Sequence, residues 1–157
     1  MHNLTDTVDR ATRSRMMSGI RSKNTRPEMF VRRYLHGLGF RYSLHSKILP
    51  GHPDIVLSKH RVAIFVNGCF WHRHAGCRFT STPSTRTKFW KKKFDSNIAR
   101  DRRSMDSLIS NDWRVIIIWE CGITGNDATS LDWLQNAIIS GEEREFHWPH
   151  GKYLGPG

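Results

Sequence analysis

Only 3 cysteines stand among the 157 residues. That odd count cannot close into a full set of disulfides, which argues against a stapled secreted scaffold and for a reducing compartment. Acidic side chains are scarce as well: 14 Asp and Glu face 25 Lys and Arg, a formal charge of +11 that suits a polyanionic partner. No apolar stretch approaches the ~20 residues needed to span a bilayer. The opening MHNLTDTVDR is polar and lacks a signal-peptide core, so cytoplasmic residence without membrane association is expected. No internal repeat is visible. A hydrophobic content of 38% at this length suits one domain with a real core.

The few cysteines are not scattered. Residues 67–77 read NGCFWHRHAGC, in which Cys69, His74 and Cys77 are spaced as a tight loop needs to wrap thiolate and imidazole around a tetrahedral Zn2+. Cys121, just past the apolar run Val115–Trp119, supplies the fourth ligand and closes a Cys3His site with no open position, the mark of structural zinc. The alternative is that all three cysteines are small core residues; the polar, ligand-crowded loop favours zinc. His72 is left over, and an imidazole is the default general base near neutral pH.

The positive charge is concentrated too. Arg10, Arg13, Arg15, Arg21, Lys23, Arg26, Arg32 and Arg33 form one cluster; Arg86, Lys88, Lys91, Lys92, Lys93, Arg100, Arg102 and Arg103 form another. Phe89, Trp90 and Phe94 interleave the second. Phosphate neutralisation combined with aromatic stacking surface points to nucleic acid, against the alternative of a solvated basic helix face.

Along the chain, 1–24 reads as a basic arm, helical over 9–19 at most, and 25–157 as a single domain. Thr25-Arg26-Pro27-Glu28 is a capping box with proline in the first turn, so a helix is expected over 26–38, ending at Gly39. Phe40, Tyr42 and Leu44 alternate as a half-buried strand. Strands at 54–57 and 62–66 form a hairpin, followed by a loop over 67–84, a helix over 86–110, a strand over 114–119, a short helix near 129–140 and a polar tail. This order predicts an α/β sandwich with a mixed sheet.

Two acids stand in odd places. Asp54 heads an apolar strand, where a carboxylate must find a donor or a cation; a turn aspartate accepting backbone N–H bonds is the plainer reading. Asp101 falls in the apolar stripe Trp90, Phe94, Ile98, Met105, Leu108 of the long helix. An inward carboxylate there either orients a histidine or pairs with an arginine.

Together LPGHPDIV, FVNGCFWHRHAGC, TKFW, FDSNIARDRR and WRVIIIWEC resemble the very-short-patch repair (Vsr) DNA mismatch endonucleases over roughly residues 10–125. The resemblance implies a restriction-endonuclease-like three-layer sandwich with a structural zinc site. The implied activity is a Mg2+-dependent, strand-specific nick in duplex DNA 5′ to the T of a T:G mismatch, the lesion left by deaminated 5-methylcytosine. Asp54 would bind Mg2+ with the main-chain carbonyl of Val66, His72 would be the general base, Asp101 its orienting partner, and Glu28 a helix glutamate near the site. Cys69, His74, Cys77 and Cys121 would hold zinc. Phe70, Trp71 and Trp90 would form a wedge inserted beside the mismatch, and Met17 would probe the minor groove; the charge of the basic arm itself assigns Arg13 and Arg15 to phosphate contacts. Asn67 departs from the family pattern: a histidine stands there in a characterised member, and an amide cannot exchange a proton near neutral pH. No (D/E)xK pair follows Asp54. The expected partner is mismatched duplex DNA bound by a monomer, with repair-protein partners left open. The competing classes are a zinc-stabilised DNA-binding module without catalysis, and a Cys-His hydrolase, which zinc would deprive of its thiolates.

Overall fold

The computed structural model describes residues 24–123 and 128–149, with 128 and 129 by backbone alone. The arm and its candidates Arg13, Arg15 and Met17 lie outside the described residues. Helix α1 spans Arg26–Gly37. The Thr25 hydroxyl accepts from the Glu28 N–H at 3.3 Å, so the chain starts its helix where the capping pattern places it. Strands β1 (Ser43–Leu44), β2 (Ile55–Leu57) and β3 (Val62–Asn67) follow. Then come α2 (Cys69–His72), the long α3 (Thr87–Ser110), β4 (Arg114–Trp119), α4 (Leu134–Ser140) and β5 (Glu145–Trp148).

The sheet runs in sequence order β1-β2-β3-β4-β5. Its first two pairings are antiparallel and its last two parallel, so it is mixed as expected. Alternation along the central strands sorts the core onto two faces. Val62, Ile64, Ile116 and Ile118 pack with Val31 and Leu35 of α1 and with Leu134 and Ile138 of α4. Ala63, Val115, Ile117 and Trp119 turn to the other face, against Leu108 of α3 and the three cysteines. Helices on both faces make three layers. The residues of β4 from Val115 to Ile118 are at most 2% exposed, and at about 1.5–3 kcal/mol for each fully buried aliphatic side chain they anchor the sheet.

Four expectations need correction. The half-buried strand expected over 40–44 shortens to Ser43–Leu44. The loop expected over 67–84 contains the turn of helix α2, placed directly beyond β3. The helix near 129–140 divides into a 3-10 turn at Ala128–Leu131 and α4. The polar tail holds β5, which pairs with β4 from Val115↔Glu145 to Ile118↔Trp148. A strand as apolar as β4 needs a neighbour on both edges, and β5 serves by alternation: Phe146 and Trp148 join one core, while Glu145 meets Arg102 of α3 and His147 stacks on Trp119.

Candidate active site and metal centre

The ends of β3 and β4 bring two side-chain clusters together. In the first, Cys69, His74, Cys77 and Cys121 are all buried, with ligand atoms within 4.8 Å of one another. His74 Nδ1 lies 3.7 Å from Cys69 Sγ and 3.5 Å from Cys121 Sγ. Tetrahedral zinc, with Zn–S near 2.3 Å and Zn–N near 2.0 Å, separates such ligands by about 3.5 Å. The donor set and its spacing therefore fit Zn2+. The shell around it is also built for a metal: the His74 ring stacks on Trp119 at 4.2 Å and hydrogen-bonds the backbone of Pro149, which lacks an N–H and can only accept. Such outer contacts fix the tautomer and orientation of a metal-binding imidazole. Burial pushes the Cys69 thiol well above its ordinary value, opposed by a backbone hydrogen bond from Cys121 and reinforced by the Cys121 and Cys77 thiols. With no cation the Cys69 thiol would resist ionisation; a bound dication reverses that preference.

The second cluster lines a cleft of about 610 Å³ that gathers Glu28, Asp54, Val66, Asn67, Phe70, Trp71 and His72. Asp54, ahead of β2, accepts the Val66 N–H at 2.8 Å through Oδ2; the turn-type backbone bond and the site position coexist. Burial pushes its carboxyl up to about 6, the Val66 bond opposing, the Glu28 carboxylate raising it further, and His45 and His72 lowering it. Glu28 is 2% exposed and lies close enough to Asp54 and His45 to share a cation with them. Two carboxylates facing one cleft, one of them reluctant to ionise, form a hard oxygen site, and that chemistry fits a divalent metal.

His72 closes α2, and its Nδ1 lies 2.6 Å from Asp101 Oδ2. The long helix thus aims its odd aspartate at the histidine rather than at an arginine. Ionised Asp101 can only accept, so Nδ1 carries the proton and Nε2 is left as the basic nitrogen. The stripe differs from expectation by one residue: Ile98 is 47% exposed, and Asn97, 2% exposed, takes the inner position, donating to the Trp71 carbonyl at 3.1 Å. Asn67 is buried at the end of β3, beside His72 on the cleft wall.

Phe70, Trp71 and Trp90 do gather. Their ring centroids are 5.0–5.9 Å apart, with Phe94 behind them and the Arg73 guanidinium 3.9 Å from the Phe94 ring. Trp71 is only 8% exposed, so Phe70 and Trp90 carry the accessible ring surface.

A family model described as DNA mismatch endonuclease Vsr matches residues 5–78. The type II nicking enzyme V.XorIIP of Xanthomonas oryzae pv. oryzae is 46% identical over 121 residues, covering 77% of this chain and 88% of the relative. The chain belongs to the Vsr family of DNA mismatch endonucleases. The DNA mismatch endonuclease Vsr of Escherichia coli is 40% identical over 124 residues, 79% of each chain, and the type II nicking enzyme V.NmeAIP of Neisseria meningitidis is 41% identical over 118 residues, 75% of this chain and 84% of that one.

In this Vsr-family endonuclease the cleft and its rim include side chains that sequence reasoning did not assign to a site. His45 meets Glu28 Oε2 at 2.7 Å, Arg100 and His52 line the wall, and Glu120 accepts the Cys69 N–H at 3.0 Å, tying the zinc cluster to the cleft. The LPGHPD segment carries His52, and its Gly51 adopts a φ of +76° where a Cβ would sit 2.7 Å from Ser104; the turn is pressed onto α3. His45 lies in no motif, and Glu120 lies in WRVIIIWEC without breaking its pattern; only the fold brings the two to the site. Among the described residues no helix is long and apolar enough to cross a membrane.

Proposed function

We propose that this endonuclease nicks one strand of duplex DNA 5′ to the T of a T:G mismatch, using Mg2+, and so begins the repair of deaminated 5-methylcytosine. The observation that carries the chemistry is the 2.6 Å contact between His72 and Asp101 beside the acidic cleft. Asp101 holds the imidazole in one tautomer and stabilises the imidazolium formed when His72 Nε2 takes a proton from the attacking water. Asp54, with the Val66 carbonyl and Glu28 beside it, would hold Mg2+, which when bound supplies Lewis-acid polarisation of the scissile phosphate. Asn67 donates its amide to phosphate or water without moving a proton, and Arg100 adds positive charge to the same wall.

Recognition follows from deformability. A T:G wobble stacks poorly, so inserting Phe70 and Trp90, backed by Trp71, costs least at that step. Residues 1–24 act as an arm on a single domain of residues 25–157, with Arg13 and Arg15 on phosphates and Met17 reaching the minor groove. The protein works on DNA as a monomer in the cytoplasm, held together by Zn2+ on Cys69, His74, Cys77 and Cys121.

The test uses purified, zinc-loaded protein with end-labelled duplexes that differ only in one T:G, C:G or T:A pair. The expected product is a single nick at the phosphate 5′ to T in the T:G duplex, lost without divalent cation and restored by Mg2+. Equal cleavage of the paired duplexes would refute the specificity, and undiminished nicking in a chelator that spares the zinc would refute the cofactor.

A further inference from the structure

One imidazole at the cleft has no part in moving the water proton. His45 follows β1 with its side chain 15% exposed, and its Nε2 lies 2.7 Å from Glu28 Oε2. Its backbone N–H donates to the Asp54 carbonyl at 3.0 Å, which ties the two residues to one another across the antiparallel pair. The donor atoms of Glu28, His45 and Asp54 lie within 4.8 Å of one another. Asp54 Oδ2 is engaged by Val66, and Glu28 already serves Arg32 and the Asn24 N–H, so neither carboxylate has all its oxygen capacity free. The chain also holds His45 at a φ of +48°, a left-handed backbone that residues other than glycine adopt uncommonly. A ring held there presents its nitrogen to both carboxylates.

We propose that His45 is a nitrogen ligand for the divalent cation of this cleft, so that the site binds Mn2+ and Co2+ more tightly than the Mg2+ it also accepts. This rests on the reading of Asp54 as a metal ligand. Mg2+ prefers an all-oxygen, largely hydrated octahedron, whereas imidazole suits the later first-row cations. Two carboxylates with one imidazole make a mixed set whose nitrogen contributes little for Mg2+ and more along the series from Mn2+ to Co2+.

The experiment measures Mn2+ binding to the zinc-loaded full chain by the loss of the free-ion electron paramagnetic resonance signal, with Mg2+ as competitor, and Co2+ binding by calorimetry. Two variants are compared: His45→Asn, which tolerates the left-handed backbone, and His45→Gln, which keeps a donor towards Glu28 but has no ring nitrogen. Circular dichroism and zinc content confirm that both are folded. The expected result is a fall in Mn2+ and Co2+ affinity on the order of ten-fold or more in both variants, with Mg2+ affinity changed by less than about three-fold. Equal losses for all three cations would make His45 a positioning residue and overturn the proposal, as would unchanged Mn2+ and Co2+ binding. Asp54→Ala separates the two layers of argument: if it still binds every cation as the native protein does, the Asp54 reading fails and this one with it. If it loses them all while the His45 variants lose only the Mn2+ and Co2+ advantage, both stand.

Discussion

Replacing Asp54 with Asn should make the protein more stable and inactive at once. The carboxyl of Asp54 is pushed up to about 6 by burial and by Glu28, against an ordinary value near 3.9. Below about pH 4 the group is protonated in the folded and unfolded chains alike and contributes no difference. Between about pH 4 and 6 the folded state keeps a proton that the unfolded state has lost, so stability falls as pH rises. Above about pH 6 the whole penalty is present, roughly 2 units at 1.4 kcal/mol each, a ceiling near 3 kcal/mol. Asparagine removes the charge while its carbonyl oxygen can still accept the Val66 N–H that Asp54 takes at 2.8 Å.

The assay is thermal unfolding of native and Asp54→Asn proteins from pH 4.5 to 8, free of loosely bound divalents but retaining zinc. The variant's advantage should be small at pH 4.5 and reach its plateau above about pH 6.5, where at 2–4 °C per kcal/mol it raises Tm by up to about 10 °C. Millimolar Mg2+ should then stabilise the native protein and not the variant, since only the native carboxylate gains a cation. A variant less stable than native at pH 8, or an advantage that does not change with pH, refutes the reasoning.

Cys121→Ser should lose zinc and much of the folding free energy together, as elemental analysis and a melt on the same sample will reveal; a well-folded native protein with no zinc would remove the premise. His72→Ala should slow single-turnover nicking on the order of 10²–10⁴-fold with mismatch binding retained, and Asp101→Asn should slow it less, because the base survives but loses the partner that fixes its tautomer. Trp90→Ala should cost about 1–3 kcal/mol on T:G duplex in binding titrations and little on paired duplex, whereas Trp71→Ala, 8% exposed, should chiefly lower Tm. A folded Trp90→Ala protein with native preference for T:G would count against the wedge.

What was legible in the sequence was whatever repeats or caps itself locally. The Thr25 cap, the apolar β4 and the amphipathic α3 each announce their limits by period and punctuation, and their bounds in the fold lie within a residue or so of those the sequence predicts. Strand β5 was hidden because its four residues alternate aromatic and polar only against neighbours remote in sequence: Glu145 looks polar until Arg102 stands opposite it. The same reason separates the site residues that could be read from those that could not. Asp101 was conspicuous because a carboxylate breaks an apolar stripe, and His72 because zinc did not need it. His45 breaks no pattern; its significance is a 2.7 Å distance to a glutamate 17 positions away, and no local period encodes that.

The two clusters at the end of the sheet are also mechanically one. Helix α2 begins at the candidate zinc ligand Cys69 and ends at His72, the proposed base, so a single turn would join metal and base. Its first N–H is held by Glu120, its Trp71 carbonyl by Asn97 of α3, and its last side chain by Asp101, one turn further along α3. A four-residue helix cannot hold its own shape in water, because the first turn costs more conformational entropy than its hydrogen bonds return. What fixes it is attachment at both ends: Glu120 on the Cys69 N–H on one side, where zinc on the Cys69 thiolate would add a second hold, and α3 through Asn97 and Asp101 on the other. On the proposed roles, zinc bound here would have a catalytic consequence without taking part in catalysis. Its loss would remove one of the holds on α2, the element that carries His72 to the cleft.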